Sequence, residues 1–412
     1  MRSFEEHLDV LARLALDVGV GFAAGDRLRL TGPIEAAPLI RRITTLAYDT
    51  GATFVDVHYV DDRLALARAM HARDETLDVY PQEHADVAVA VAERGDAVIR
   101  VSGRDPDLMS AADPARVARM MRSASAATRR VGELASRLHM PWTAVPYVVP
   151  AWASKVFPHL SEGEAVERLW GAVFAATRVD ADDPAAAWSA HVGALAARRQ
   201  RLDALALDAL HVRGPGTDLR IGLAHEHVWV GGGAHAEIDG RRFVPNIPTE
   251  EVFTAPHARR VEGVVRATKP LSYQGQVIED FSLTFEGGEV VDVAAERGQA
   301  VLERLLATDA GARRLGEVAL VPHSSPISQS GLLFYDTLFD ENASCHIALG
   351  RAYPISVKGG RTRPQGELER DGLNHSLTHV DFMIGSSEVD VDGLLADGRI
   401  EPLLRGGEWV EG

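Results

Sequence analysis

The chain has 412 residues, 46% hydrophobic and 25% charged, which is more than one hydrophobic core usually serves, so two domains are expected. Its net charge of -16 excludes broad binding to a nucleic-acid backbone, which needs clustered Lys and Arg. A single cysteine, Cys345, excludes an intrachain disulfide framework and Cys-based zinc modules, and no run approaches the roughly 18 apolar residues of a membrane span.

The opening Met1-Arg2-Ser3-Phe4-Glu5-Glu6 is too acidic for a signal peptide, so a cytoplasmic location is the expectation. Ser3 and Glu6 have capping-box spacing, and Leu8, Leu11, Ala15 and Val18 recur along one helical face behind them. Arg27-Leu28-Arg29-Leu30 reads as a short strand, and a helix over 36–48 leads into the strand Phe54 to Val60. Ala97 to Val101 is a further strand, followed by a long helix over 114–138 and a strand from Trp142 to Val149. Strands alternating with helices imply βαβ units and a mainly parallel sheet.

Two helices are expected over 162–177 and 183–206. Beyond Leu210, glycines, β-branched residues and short strands dominate, including Leu219 to Leu223, Val228 to Val230, and a hairpin of Phe281–Phe285 with Val290–Val293 around Glu286-Gly287-Gly288. The fold class expected is α/β: a mainly parallel N-terminal α/β domain over 1–205, then a C-terminal α+β domain over 206–412 rich in antiparallel strands.

Potential metal ligands concentrate in the second half. Glu250-Glu251 follows Pro248; Glu317 precedes the apolar Val318 to Val321; Asp340-Glu341-Asn342 is followed by His346 and Tyr353; His379-Val380-Asp381 precedes Phe382. On a strand, His379 and Asp381 project to one face, because pleated side chains alternate with period two. Glu341 and His346, five apart, need a turn to meet. Histidine plus carboxylate ligands suit Zn, Mn, Co or Fe, and a carboxylate-rich set holds two ions that share and acidify a bridging water. Each element also has a plainer reading: an exposed helix start for Glu250-Glu251, a turn for Asp340-Glu341-Asn342, a hydrogen-bonded core histidine for His379.

Other motifs carry less. Gly231-Gly232-Gly233 lacks the strand–GxGxxG–helix order of a dinucleotide site, and Arg213 to Thr217 lacks a P-loop lysine. Ser324, Ser325, Ser328 and Ser330 have no nucleophile-elbow context. His225-x-His227 has a spacing that can bind metal, but a solvated or packing role is the better reading for His225, His227 and His235, and packing for Cys345.

The chain resembles the aminopeptidase T and aminopeptidase S group of bacterial metallopeptidases. The similarity runs through Trp152 to Pro158, Gly214 to Leu219, Pro245 to Thr254, Leu315 to Ala319, Thr337 to Gly350, Asn374-x-Ser376 and His379 to Gly385. It implies a dinuclear site with ligands Glu251, Glu317, Glu341, His346, His379 and Asp381, an active-site tyrosine at Tyr353, a homodimer and peptide substrates. The expected cofactors are two divalent metal ions, Zn, Co, Mn or Mg. The expected reaction is hydrolysis of the N-terminal peptide bond by a metal-bound hydroxide, with Glu317 bridging, Glu251 or Glu317 moving the proton, and Tyr353 stabilising the oxyanion. Two rivals remain. One is a mononuclear non-haem iron ring-cleaving dioxygenase using His346, His379 and Asp381; the other is a catalytically silent dimeric binding protein.

Overall fold

A computed structural model describes residues 2–273 and 275–410. They form two compact units, Met1–Ala190 with Gly233–Pro248, and His191–Gly232 with Thr249–Gly412.

The first unit is α/β. Its opening helix, Phe4–Leu14, starts at the expected capping box: Glu6 N donates to Ser3 Oγ at 3.3 Å, and Ser3 N donates to Glu6 Oε2 at 2.6 Å. Leu8, Leu11 and Ala15 are buried as expected, but a π turn over Ala15–Gly19 advances the phase and buries Leu16 and Val20 instead of Val18. Four parallel strands follow: β1 (Arg27–Pro33), β2 (Phe54–Val60), β3 (Ala97–Ser102) and β4 (Trp142–Pro146), in the order β2-β1-β3-β4. The expected helix over 114–138 is two helices, Pro114–Ala127 and Arg129–Ser136. They part at Thr128, whose hydroxyl turns back onto the Ala124 carbonyl at 2.9 Å. β4 stops at Pro146, short of Val149, because Val149 is the N-cap of helix Pro150–Val156.

The second unit is built from antiparallel strands. The hairpin expected around Glu286-Gly287-Gly288 joins strands Gln276–Glu286 and Glu289–Arg297, with φ of 56° at Gly287 and 80° at Gly288 supplying the tight reversal. This hairpin belongs to a nine-stranded sheet. Val228 to Val230 is not the strand its residue types suggest; its strand-like pairing is limited to isolated bridges, His227 to Val357 and Val230 to Phe253. Its strand propensity finds no continuous partner to pair with.

A smaller sheet in this unit carries Glu317, His346, His379 and Asp381. Its strands are β5 (Val252–Thr254), β6 (Leu315–Leu320), β7 (His346–Gly350) and β8 (His379–Met383), all antiparallel, in the order β8-β7-β6-β5. Val318, Leu320, Ile347, Leu349, Val380 and Phe382 point into the unit's hydrophobic core. The intervening residues therefore project from the opposite face.

Candidate metal centre

That opposite face explains how residues far apart in sequence meet. Glu317 pairs with Ala348, and Ala348 pairs with Asp381, so two carboxylates flank one alanine in a single row across the sheet. Ala348 leaves room between them. His346 stands two residues from Ala348, and His379 two residues from Asp381, so all four side chains share the face. Opposite His379 lies Gly350, with φ of 108°; a Cβ there would meet the Thr378 carbonyl oxygen at 2.2 Å, so only glycine allows this approach.

Glu251 enters from the residue just before β5. Its neighbour Glu250 is held by its backbone N–H, which donates to Asn342 Oδ1 at 2.7 Å. Both glutamates are buried, 4% and 9% exposed, so the helix-start reading fails for this pair. Glu341 opens a single 3-10 turn, Glu341–Ala343, behind helix Thr337–Asp340. Asn342 fixes that turn by donating to the Leu338 carbonyl at 3.0 Å.

Two overlapping triads result. Glu251, Glu317 and His346 offer ligand atoms within 4.8 Å of one another, and so do Glu317, His379 and Asp381. Glu317 belongs to both. His346 Nε2 lies 3.0 Å from Glu251 Oε2 and 3.5 Å from Glu317 Oε1. His379 Nε2 lies 3.4 Å from Asp381 Oδ1 and 3.8 Å from Glu317 Oε2. Glu341 stands beside the triads, close enough for Asp381 and Glu251 to act on its charge. Tyr353 packs its ring on His379 with centroids 4.7 Å apart.

The outer nitrogens decide what the inner ones can do. His346 Nδ1 donates to the Ser344 carbonyl at 3.1 Å, and His379 Nδ1 donates to the Arg351 carbonyl at 2.7 Å. A carbonyl only accepts, so each neutral ring carries its proton on Nδ1 and turns the Nε2 lone pair toward carboxylates. Glu251 Oε2, His346 Nε2 and Asp381 Oδ1 are buried and make no aligned hydrogen bond among the described residues. Acceptors thus face acceptors, a fit for cations: the residues present match His and carboxylate ligation of a divalent metal.

Without a cation the cluster can only take up protons. Burial pushes the Glu317 carboxyl up to about 7, with Asp381 and Glu251 adding to the rise against the pull of His346. Burial likewise holds Glu341 well above the usual carboxylate range, reinforced by Asp381 and Glu251. Burial opposes a charge on the imidazoles, yet the facing carboxylates win: His346 is raised well above its usual value and His379 to about 9. Burial and the carboxylates of Glu317 and Asp381 raise the Tyr353 phenol, which stays a neutral donor.

The remaining sequence candidates lie elsewhere. Among the described residues His225, His227 and His235 join no metal-ligating cluster. Cys345 is buried and donates to the Val321 carbonyl at 3.3 Å, a packing role. Ser325 caps the short helix Pro326–Gln329. Sequence reasoning passed over Asn342, Ala348 and Gly350, whose part is to hold the turn and leave space.

The family described as thermophilic metalloprotease (M29) matches residues 4–409. The chain is 48% identical over 411 residues to "Aminopeptidase T" of Thermus aquaticus, covering 100% of both chains. To "Aminopeptidase 2" of Geobacillus stearothermophilus it is 46% identical over 410 residues, covering 100% of this chain and 99% of that one. Among solved structures, "Wild-type AmpT from Thermus thermophilus" superposes with a TM-score of 0.93 at 46% identity, covering 99% of this chain and 100% of that one. The chain belongs to the thermophilic metalloprotease family, and it is a peptide hydrolase.

Proposed function

We propose that this member of the family is a metal-dependent aminopeptidase, cleaving the N-terminal peptide bond of peptides at a centre of two divalent cations. The observation that carries this reading is the pair of Nε2 lone pairs aimed at buried carboxylates in two triads that share Glu317. Glu251, Glu317 and His346 would hold one ion and Glu317, His379 and Asp381 the other, with Glu341 completing the set. Charge supports two ions: the four carboxylates Glu251, Glu317, Glu341 and Asp381 carry four negative charges when ionised, and two dications balance them. One ferrous ion would leave two charges buried and unmatched. His346 and His379 also fall in different triads, which disfavours the two-histidine facial site of a dioxygenase. Zn, Co, Mn and Mg all suit the oxygen and nitrogen donors, and the resemblance supports a homodimer.

Bound divalent cations supply Lewis acidity and lower the pKa of water enough for it to attack a peptide carbonyl at neutral pH. The chain's own groups do the rest. Tyr353, neutral and packed on His379, donates its hydroxyl hydrogen bond to the oxyanion. Glu251 or Glu317 carries a proton to the leaving amine. An acidic side chain of the cluster receives the substrate's α-ammonium group and so confines cleavage to the N-terminus. The test is elemental analysis together with hydrolysis of aminoacyl p-nitroanilides after metal loading. About two divalent ions per chain with metal-dependent release of nitroaniline is the expected result; one iron per chain with no hydrolysis overturns it.

A further inference from the structure

A second polar cavity in the same unit, of about 350 Å³, is lined by Arg198, Arg201, Glu408, Trp409 and Val410. Its volume falls at the low end of small-molecule sites, about 300–1,000 Å³. None of these residues is a ligand of the metal centre. Arg198 stacks over the Trp409 ring, with its guanidinium carbon 5.3 Å from the centroid. Among the described residues no carboxylate or carbonyl accepts a hydrogen bond from that guanidinium, whose pKa burial lowers against the pull of Glu250 and Glu408. The indole Nε1–H of Trp409 is buried and also lacks an acceptor among the described residues.

The other charges are anchored. Arg201 donates to the Val410 carbonyl at 2.6 Å and pairs with Glu401 at 3.2 Å. Glu408 accepts from Ser324 Oγ through one oxygen, Oε2, at 2.8 Å. Arg198 and Glu408 both line the cavity, yet they do not close into an ion pair with each other. One guanidinium without an acceptor and one carboxylate with an oxygen to spare, set around a cavity beside an aromatic face, form a pattern for a zwitterion.

We propose that this cavity binds a free α-amino acid or short peptide: its carboxylate received by Arg198, its ammonium by Glu408, and its side chain lying against Trp409 and Val410. The plainer account, in which Arg198 only balances Glu250 and Glu408, leaves its guanidinium hydrogens without an acceptor among the described residues. Such a ligand is of the same chemical class as what a peptide hydrolase releases, so the site would sense product through residues that are not ligands of the metal centre.

The test is titration calorimetry of the metal-loaded enzyme with L-leucine, with L-leucinamide and N-acetyl-L-leucine as probes lacking one charge each. Wild type is expected to show two classes of leucine site. Arg198→Met should weaken one class by about tenfold or more while leaving the other, since a hydrogen bond to a charged group is lost. Glu408→Gln should weaken leucine and leucinamide at that class and spare N-acetyl-leucine. Melting curves matched to wild type establish that each variant is folded, and Glu408→Gln, at an exposed position, carries the test should Arg198→Met fail to fold. A single class of site in wild type, or an unchanged second class in Arg198→Met and Glu408→Gln, overturns the proposal.

Discussion

Glu317 Oε1 stands 3.5 Å from His346 Nε2, while its other oxygen, Oε2, is turned toward His379 at 3.8 Å. One carboxylate thus spans two imidazoles whose outer nitrogens are both tied to backbone carbonyls. Replacing it with an amide keeps the shape and removes the charge. Glu317→Gln is expected to lower the metal content from about two ions per chain to one or fewer and to abolish hydrolysis, with the fold intact. Elemental analysis and circular dichroism check this. Full metal content and near-normal turnover would sink the bridging role.

The metal-free protein should lose stability as pH rises. Glu317 has its folded pKa raised to about 7, so the unfolded chain gives up this proton first, and stability falls as pH climbs from about 4.5 through 7. His379 is raised to about 9, so its protonated form stabilises the fold fully below its unfolded value and is lost on rising through 9. Both trends have the same sign. The melting temperature of chelator-treated enzyme should therefore decline steadily from pH 5 to about 9, and divalent cations should flatten the profile. A metal-free profile that rises over this interval would show that the cluster is not charged as described.

Tyr353→Phe retains the ring that packs on His379 and deletes only the hydroxyl. Because burial and the facing carboxylates keep the phenol neutral, its loss removes a donor rather than a charge. The expected result is a fall in kcat of about 100-fold with KM little changed, as for loss of one oxyanion donor. Comparable changes in KM and kcat would instead assign the hydroxyl to substrate binding.

The types of the site residues were legible in the sequence, but their convergence was not. His379 and Asp381 could be placed on one face from period two alone. That Glu317 lies across Ala348 from Asp381 depends on the register of three strands separated by some tens of residues, and tertiary packing sets that register. The same limit explains Val228 to Val230: β-branched and aromatic residues read as a strand, yet only isolated bridges are available to them. Thr128 shows the complementary case, in which one hydroxyl bonded to Ala124 breaks a helix that composition runs together. The assignment of ligands came from family resemblance; spacing alone left turn and core readings open for Glu341 and His379.

Asn374 tests how far the centre depends on residues that touch no metal. Its side-chain amide donates to three carbonyls: Gly350 at 2.6 Å, Gly311 at 2.7 Å and Arg314 at 3.2 Å. Those bonds tie the end of β7 to the loop that feeds His379, and Asp309 secures the same loop by accepting from Leu377 N at 2.7 Å and Ser376 Oγ at 2.8 Å. Asn374→Ala takes the side-chain donor from the Gly350 carbonyl, while the Gly311 and Arg314 carbonyls keep backbone donors in Arg314 N and Gly350 N, and should cost about 1–3 kcal/mol of stability, read as a lower melting temperature. Because His379 is displaced with the loop, affinity for the ion at the Glu317, His379 and Asp381 triad should fall by about tenfold or more, while the ion beside His346 is retained more tightly. Titration of the metal-free variant with Zn separates the two effects. Unchanged affinity in a destabilised protein would make Asn374 a clamp of the fold alone, with no hold on the centre.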